Sequence, residues 1–226
     1  MSREKIVLLW SGGKDSALAL IDLQRKYEIL GLLTTFTEGY DRVTMHGVRR
    51  ELLEAQVRAL GQRLIPMTIR PSCSNREYDE QMRNILLDLK AQGVQKIASG
   101  DIFLEDVRHY REERLKEIEM ELITPLWGRN SVSLMQEFFA RGFRAVTVCV
   151  STKWLDAGFV GRELDERFLG DLPSGVDPCG ENGEFHSFVY DGPLFHHPVH
   201  FRLGEKVLRD GHYYCDLLPL EGDEPR

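Results

Sequence analysis

None of the four cysteines, Cys73, Cys149, Cys179 and Cys215, belongs to a Cys-x-x-Cys pair. That absence excludes a zinc knuckle and a redox dithiol, and it suits reduced thiols in a cytoplasmic protein. No apolar run approaches the roughly 20 residues of a membrane span, and the N-terminus runs straight into a strand pattern with no leader ahead of it. A cytoplasmic protein without a membrane partner is therefore expected. Positive charge is also scarce: 29 Lys and Arg against 36 Asp and Glu leave a net charge of −7. Such a balance argues against a generic nucleic-acid binder. There is no internal repeat and no low-complexity segment. With 226 residues, 42% of them apolar, the chain can build one large α/β domain with a small appendix.

Two familiar nucleotide loops are missing near the N-terminus. A Walker A loop would need glycine where Leu8 stands and a hydroxyl residue where Asp15 stands. A dinucleotide fingerprint would need a different glycine spacing. What is present is Ser11-Gly12-Gly13-Lys14-Asp15-Ser16, between the apolar run Ile6–Trp10 and the run Ala17–Ile21. The order reads as strand, glycine turn, helix. A helix N-terminus offers unpaired N–H groups and partial positive charge, Lys14 adds a full charge, and phosphate oxygens suit the place. Asp15 is unexpected in a pure anion cradle; it could cap the helix or hold a Mg²⁺ travelling with phosphates. The loop resembles the pyrophosphate loop (PP-loop) of the N-type ATP pyrophosphatases. That resemblance implies cleavage of ATP between the α- and β-phosphates and transfer of AMP to an oxygen that a nucleophile then displaces.

Downstream, strands are expected at 28–36, 64–69, 96–99 and 145–150, with helices at 16–26, 48–60, 75–92, 105–114 and 131–141. Ser74-x-x-Glu77 is a capping-box pattern. The alternation implies a parallel, doubly wound sheet with helices on both faces. Ligands of such sheets bind beyond the carboxyl ends of the strands, where the loops at Ser11, 35–46 and Gly100-Asp101 emerge. The helix at 105–114 is densely charged and mostly a solvated face, from which an arginine such as Arg114 could turn toward phosphates. From Ser151 glycine and proline crowd the sequence, so the expected domains are 1–151 for nucleotide and 152–226 for substrate. Short antiparallel strands are expected at 199–203, 205–209 and 213–218, with a turn at Asp210-Gly211 and a frayed tail over 221–226.

A second constellation is Asp177-Pro178-Cys179-Gly180-Glu181-Asn182-Gly183-Glu184-Phe185-His186-Ser187. Carboxylates held between glycines could orient an amine, accept its proton or bind Mg²⁺, and could equally form an ordinary acidic surface loop. The histidines His196, His197 and His200 are interrupted by Pro198 and are not expected to form a zinc site. Gly180-Glu181-x-Gly183-Glu184-Phe185 and Asp191-Gly192-Pro193-Leu194-Phe195 resemble the C-terminal signature of the diphthine–ammonia ligase family. So do Tyr110-x-x-Glu113-Arg114, Pro125-Leu126-Trp127-Gly128-Arg129, and Gly161-Arg162 with Asp165. With the loop at Ser11, the matches run from residue 11 to residue 195.

The resemblance implies a sheet of the adenine nucleotide α-hydrolase-like (HUP) type with a small C-terminal α+β substrate region. It implies ATP and Mg²⁺ as cofactors, adenylation of the diphthine carboxylate on elongation factor 2, and displacement of AMP by ammonia to give diphthamide. Catalytic roles then fall to Lys14, Glu181 and Glu184. Nucleotide binding falls to Ser11, Gly12, Gly13, Lys14, Asp15, Ser16, Thr35, His46, Gly100, Asp101 and Arg114, with Asp15 and Asp101 on the metal. His186 and Ser187 depart from the family, which shows an acidic residue and then threonine there. The acceptor is therefore elongation factor 2 or another carboxylate-bearing molecule. No glutaminase motif is evident, so free ammonia or a separate donor is expected, and a homo-oligomer is left open. The rival reading is a nucleotide-binding sensor without turnover, which would not need the carboxylates at 181 and 184.

Overall fold

The computed structural model describes residues 3–220, so the tail at 221–226 lies outside the described residues. The first half is a sheet built from β1 (Lys5–Leu9), β2 (Glu28–Thr37), β3 (Arg42–Val43), β4 (Leu64–Ile69), β5 (Lys96–Ala98) and β6 (Glu121–Ile123). Five of these run parallel in the order β4-β2-β1-β5-β6. The short β3 pairs antiparallel with the end of β2, at Phe36 and Thr37, beyond the residues that pair with β1. Strand order therefore reverses at β1, and Ser11 leaves the sheet at that reversal, where parallel sheets place their ligands.

β1 is apolar on both sides because both sides are covered. Ile6 and Leu8 face a core shared with α1 (Lys14–Leu23) and α2 (Arg50–Ala59). Val7 faces a smaller core under α3 (Asn75–Ala91) and α4 (Glu105–Lys116), with Leu86, Leu89 and Leu115. The capping box at the start of α3 is made, with Ser74 and Glu77 satisfying each other's amides.

The second half is a four-stranded antiparallel sheet, in the order β8-β7-β10-β9, of β7 (Arg144–Ser151), β8 (Phe185–Asp191), β9 (Phe201–Arg209) and β10 (His212–Pro219). It is completed by α5 (Ser131–Ala140) and α6 (Glu166–Asp171). Here the sequence reading needs correction. The fifth parallel strand is β6, three residues long and too short to announce itself by pattern, whereas the expected strand at 145–150 belongs to the second sheet. The change of sheet thus precedes Arg144 and does not wait for the glycine-rich stretch after 151. β9 is one strand, carried through Gly204 by a register shift opposite Cys215–Leu217. The two sheets share one core, in which Phe185 and Phe188 of β8 join Leu18 and Leu20 of α1.

Candidate active site

The loop after β1 is stitched to the second sheet. Gly12 takes φ +80°, a region open to glycine, and a side chain there would press on Leu53 and Gln56. Its carbonyl accepts from Val189 N at 2.9 Å and from Gln56 Nε2 at 2.9 Å. Gln56 is fully buried on an otherwise apolar helix face; it also donates to Val189 O and accepts from Trp10 Nε1 at 2.8 Å. One amide thereby fixes strand end, loop and neighbouring sheet.

The amides expected to cradle phosphates are partly committed within the protein. Gly13 N donates to Ser11 Oγ and Lys14 N donates to Ser187 Oγ, each at 3.2 Å. Ser16 Oγ closes the turn on Gly13 O. Gly100 packs against the Asp15–Ser16 backbone, where a Cβ would approach within 3.0 Å. Gln56 was not singled out in the sequence, though its signal was there, a polar residue inside the apolar stripe Leu52, Leu53, Val57; Ser187 stood out only as a departure from the family, with nothing to mark its contact with Lys14 N.

The lysine is the centre of the arrangement. Lys14 is buried, its Nζ is 2.9 Å from Asp15 Oδ2 and 5.0 Å from the Phe185 ring centre. Burial alone would pull its pKa down, but Asp15, with Cys179 and Glu181 adding to the effect, raises it, so it stays an ammonium. Burial drives the Asp15 carboxyl up against the pull of Lys14, and nearby Asp177 adds to the rise. Asp15 Oδ1 is buried without a hydrogen-bond partner.

Glu181 lies beside the same group. Its Oε1 accepts from Ile102 N at 2.7 Å and Phe103 N at 3.4 Å. Burial pushes its pKa up to about 7; the Ile102 hydrogen bond resists, and the charge of Asp15 adds to the rise. Asp101 accepts from Ser99 Oγ at 2.7 Å and pairs with Arg111. Lys14, Asp15, Asp101 and Glu181 thus converge from α1, from the loop after β5 and from the loop before β8. Burial, and to a lesser degree the neighbouring carboxylates, pushes both Asp15 and Glu181 upward. Among the described residues no group of three metal-ligating side chains is already assembled. A Mg²⁺ held by one or two carboxylates and by substrate phosphates does not require one.

The expected residues Arg114, Glu184, Thr35 and His46 are placed as follows. Arg114 is exposed and bound to Asp79 and Glu117 on the far face, beside an apolar cleft between α3 and α4. Arg111, one turn earlier on α4, is the arginine that reaches Asp101. Glu184 is fully buried and turned into its own loop, accepting from Asp177 N at 3.0 Å, Asn182 N at 2.9 Å and Asn182 Nδ2 at 3.0 Å. It braces the loop that presents Glu181 and is not offered to a ligand. Thr35 is held through its carbonyl by Thr44 N at 3.0 Å. Cys179 is buried with its thiol pushed well up by that burial, and its Sγ lies 3.5 Å from Ser131 O, so it is no thiolate nucleophile. His46, expected beside adenosine, packs against His186 with ring centres 4.4 Å apart.

Comparison with known proteins follows this geometry. The diphthamide synthase N-terminal domain matches residues 4–122 and the diphthamide synthase C-terminal domain matches 130–218. The gap between them falls ahead of β7, where the sheets change. Diphthine–ammonia ligase of Homo sapiens is 27% identical over 96% of this chain and 90% of its own length. The Bos taurus protein of the same name is 26% identical over 84% of this chain and 80% of its own. A solved structure described as a predicted subunit of tRNA methyltransferase from Methanocaldococcus jannaschii superposes with a TM-score of 0.41 at 19% identity, over 68% of this chain and 81% of that one. Two domain models in the right order, covering nearly the whole chain, place it: the chain belongs to the diphthamide synthase family.

Proposed function

We propose that this protein is an ATP-dependent amide ligase that adenylates a carboxylate and displaces AMP with ammonia, with diphthine on elongation factor 2 as the acceptor. The observation that carries the reading is the buried Lys14 at the start of α1, at the reversal point of a parallel sheet, ringed by carboxylates. In the first step an oxygen of the acceptor carboxylate attacks the α-phosphorus, and the bond to the β-phosphate oxygen breaks with its electron pair leaving on pyrophosphate. Lys14 meets the charge that develops there, in a site closed to water, where a fixed cation acts most strongly. In the second step ammonia adds to the acyl carbon and AMP departs.

Asp15 and Asp101 would hold Mg²⁺, and the unpartnered Asp15 Oδ1 fits that role. The ion would offset charge on the phosphates. Glu181 ties the loop after β5 to the second sheet and faces Lys14, so it lies where acceptor and nucleotide would meet. The sensor reading has no use for that carboxylate, and the named relatives are ligases. The test is chromatography of the nucleotide after incubation of protein, Mg·ATP, ammonium chloride and diphthine-bearing elongation factor 2. AMP and pyrophosphate in equal amounts are expected. ADP and phosphate as main products would overturn the reading.

A further inference from the structure

Two histidines from different sheets flank the phosphate loop, His46, expected beside adenosine, and His186. His46 sits in the turn between β3 and α2, presented by Met45 at φ +66° and Gly47 at φ +73°. His186 comes from β8 in the other sheet. The rings meet at a centre-to-centre distance of 4.4 Å, tilted by 40°. The backbone carbonyl of Ser187 lies close enough to the His46 ring to favour its protonated form. That carbonyl is the atom against which Gly13 packs, and Ser187 Oγ is the acceptor for Lys14 N. The pair therefore borders the phosphate loop. Nδ1 of His46 is buried and has no hydrogen-bond partner. In the neutral ring that carries its proton on Nε2, Nδ1 holds a lone pair shielded from water.

A neutral imidazole with an unpartnered lone pair beside the reacting groups suits a general base. We propose that the His46–His186 pair accepts the proton released when ammonia attacks the adenylated carboxylate, an inference that rests on the amide-ligase reading. The ammonia lone pair forms the C–N bond. The bond from the acyl carbon to the AMP oxygen breaks, and its electrons leave on AMP. One N–H proton passes to Nδ1 of His46, and the product is the neutral amide.

The surroundings keep the pair neutral until it is needed. Burial, the neighbouring ring and Lys14 all hold His46 well below the ordinary histidine range. Burial, Lys14 and His212 of β10 bring His186 down to about 4. The other neighbours are Tyr214 of β10, against Gly47, and Arg42 of β3, which donates to Gly47 O at 2.7 Å and is neutralised by Asp216. No carboxylate touches the pair among these contacts. Negative charge arrives with the nucleotide, whose phosphates offset the Lys14 cation that lowers both rings.

Hydroxylamine separates this role from a structural one, because it is mostly free base at neutral pH and needs less help in losing its proton. His46→Asn and His186→Asn are compared with the unaltered protein, using Mg·ATP and diphthine-bearing elongation factor 2, with ammonium chloride or hydroxylamine as nucleophile. Amide formation is expected to fall about 100-fold or more, within the usual range for losing a general base, while hydroxamate formation falls less than about threefold. Amide formation within threefold of normal, or equal losses with both nucleophiles, overturns the proposal. If the unaltered protein makes no AMP with either nucleophile, the ligase reading falls and takes this inference with it. Nitrogen-15 spectra of the unaltered protein at pH 7 give a check independent of variants and acceptor. His46 is expected as the neutral tautomer with bare Nδ1; a proton on Nδ1 would overturn the proposal.

Discussion

A carboxylate between glycines looks the same in sequence whether it faces a substrate or its own backbone. Glu181 and Glu184 are three residues apart, and only the fold separates them: Glu181 reaches the amides of another loop beside Lys14, while Glu184 turns inward to three donors of its own. Replacing Glu184 with glutamine swaps one acceptor oxygen for an NH₂ that must face a donor. The expected cost is about 1–3 kcal/mol, from a buried group left unsatisfied. Glu184→Gln should lower the thermal midpoint and weaken ATP binding together, as calorimetry can show. Normal stability with only amide formation lost would return Glu184 to the reacting groups. Arg114 and Arg111 repeat the lesson. In a helix that carries charge on every side, pattern cannot tell which arginine faces the sheet edge. Lys14 was legible because its loop is contiguous and its glycines, lysine and strand-to-helix setting occur together.

At the scale of elements, the strand-to-helix turn was readable and the strands that hold it in place were not. β6 has three residues, and β7 carries the apolar run of a buried strand in either kind of sheet. Parallel or antiparallel membership is decided by partners far along the chain. Gln56 on α2 is the link between such partners. Gln56→Leu keeps the volume but leaves Trp10 Nε1 and Val189 O without partners, while Gly12 O retains Val189 N. A loss of about 2–4 kcal/mol is expected for two buried groups so orphaned, measured by denaturant unfolding. Because the same residue fixes the phosphate loop, ATP affinity should fall with it. A folded, fully stable variant with normal affinity would show that the loop holds its shape without the clasp.

Across the whole molecule, the sheets are pinned at the edge by Asp216 of β10, which accepts from Arg42 at 2.8 Å and from Arg49 at 2.8 Å and 3.1 Å. Burial would raise the carboxyl, but the hydrogen bonds of Arg49 and Arg42 outweigh it and hold the pKa at about 2. A folded pKa below the unfolded value of roughly 3.9 gives stability that is full above pH 4 and lost as pH falls toward 2. The arginines are about a third exposed, so solvent screening reduces the worth of the cluster to about 1 kcal/mol. Asp216→Asn should thus be less stable than the unaltered protein at pH 6, with the gap narrowing below pH 4 and closing toward pH 2 in denaturant melts; a gap constant with pH would mean the arginines contribute packing alone. The phosphate loop is pinned over a still longer reach, since Lys14 N and Ser187 Oγ are 173 residues apart in the chain. During vectorial synthesis the ribosome delivers the loop first and β8 much later, so the loop waits unformed through most of translation. Contacts this distant in sequence also come late in refolding, after the cost of closing the intervening chain has been met. A truncated or half-made chain therefore carries the Ser11–Ser16 loop in its sequence without the β8 contacts that hold Gly12 and Lys14.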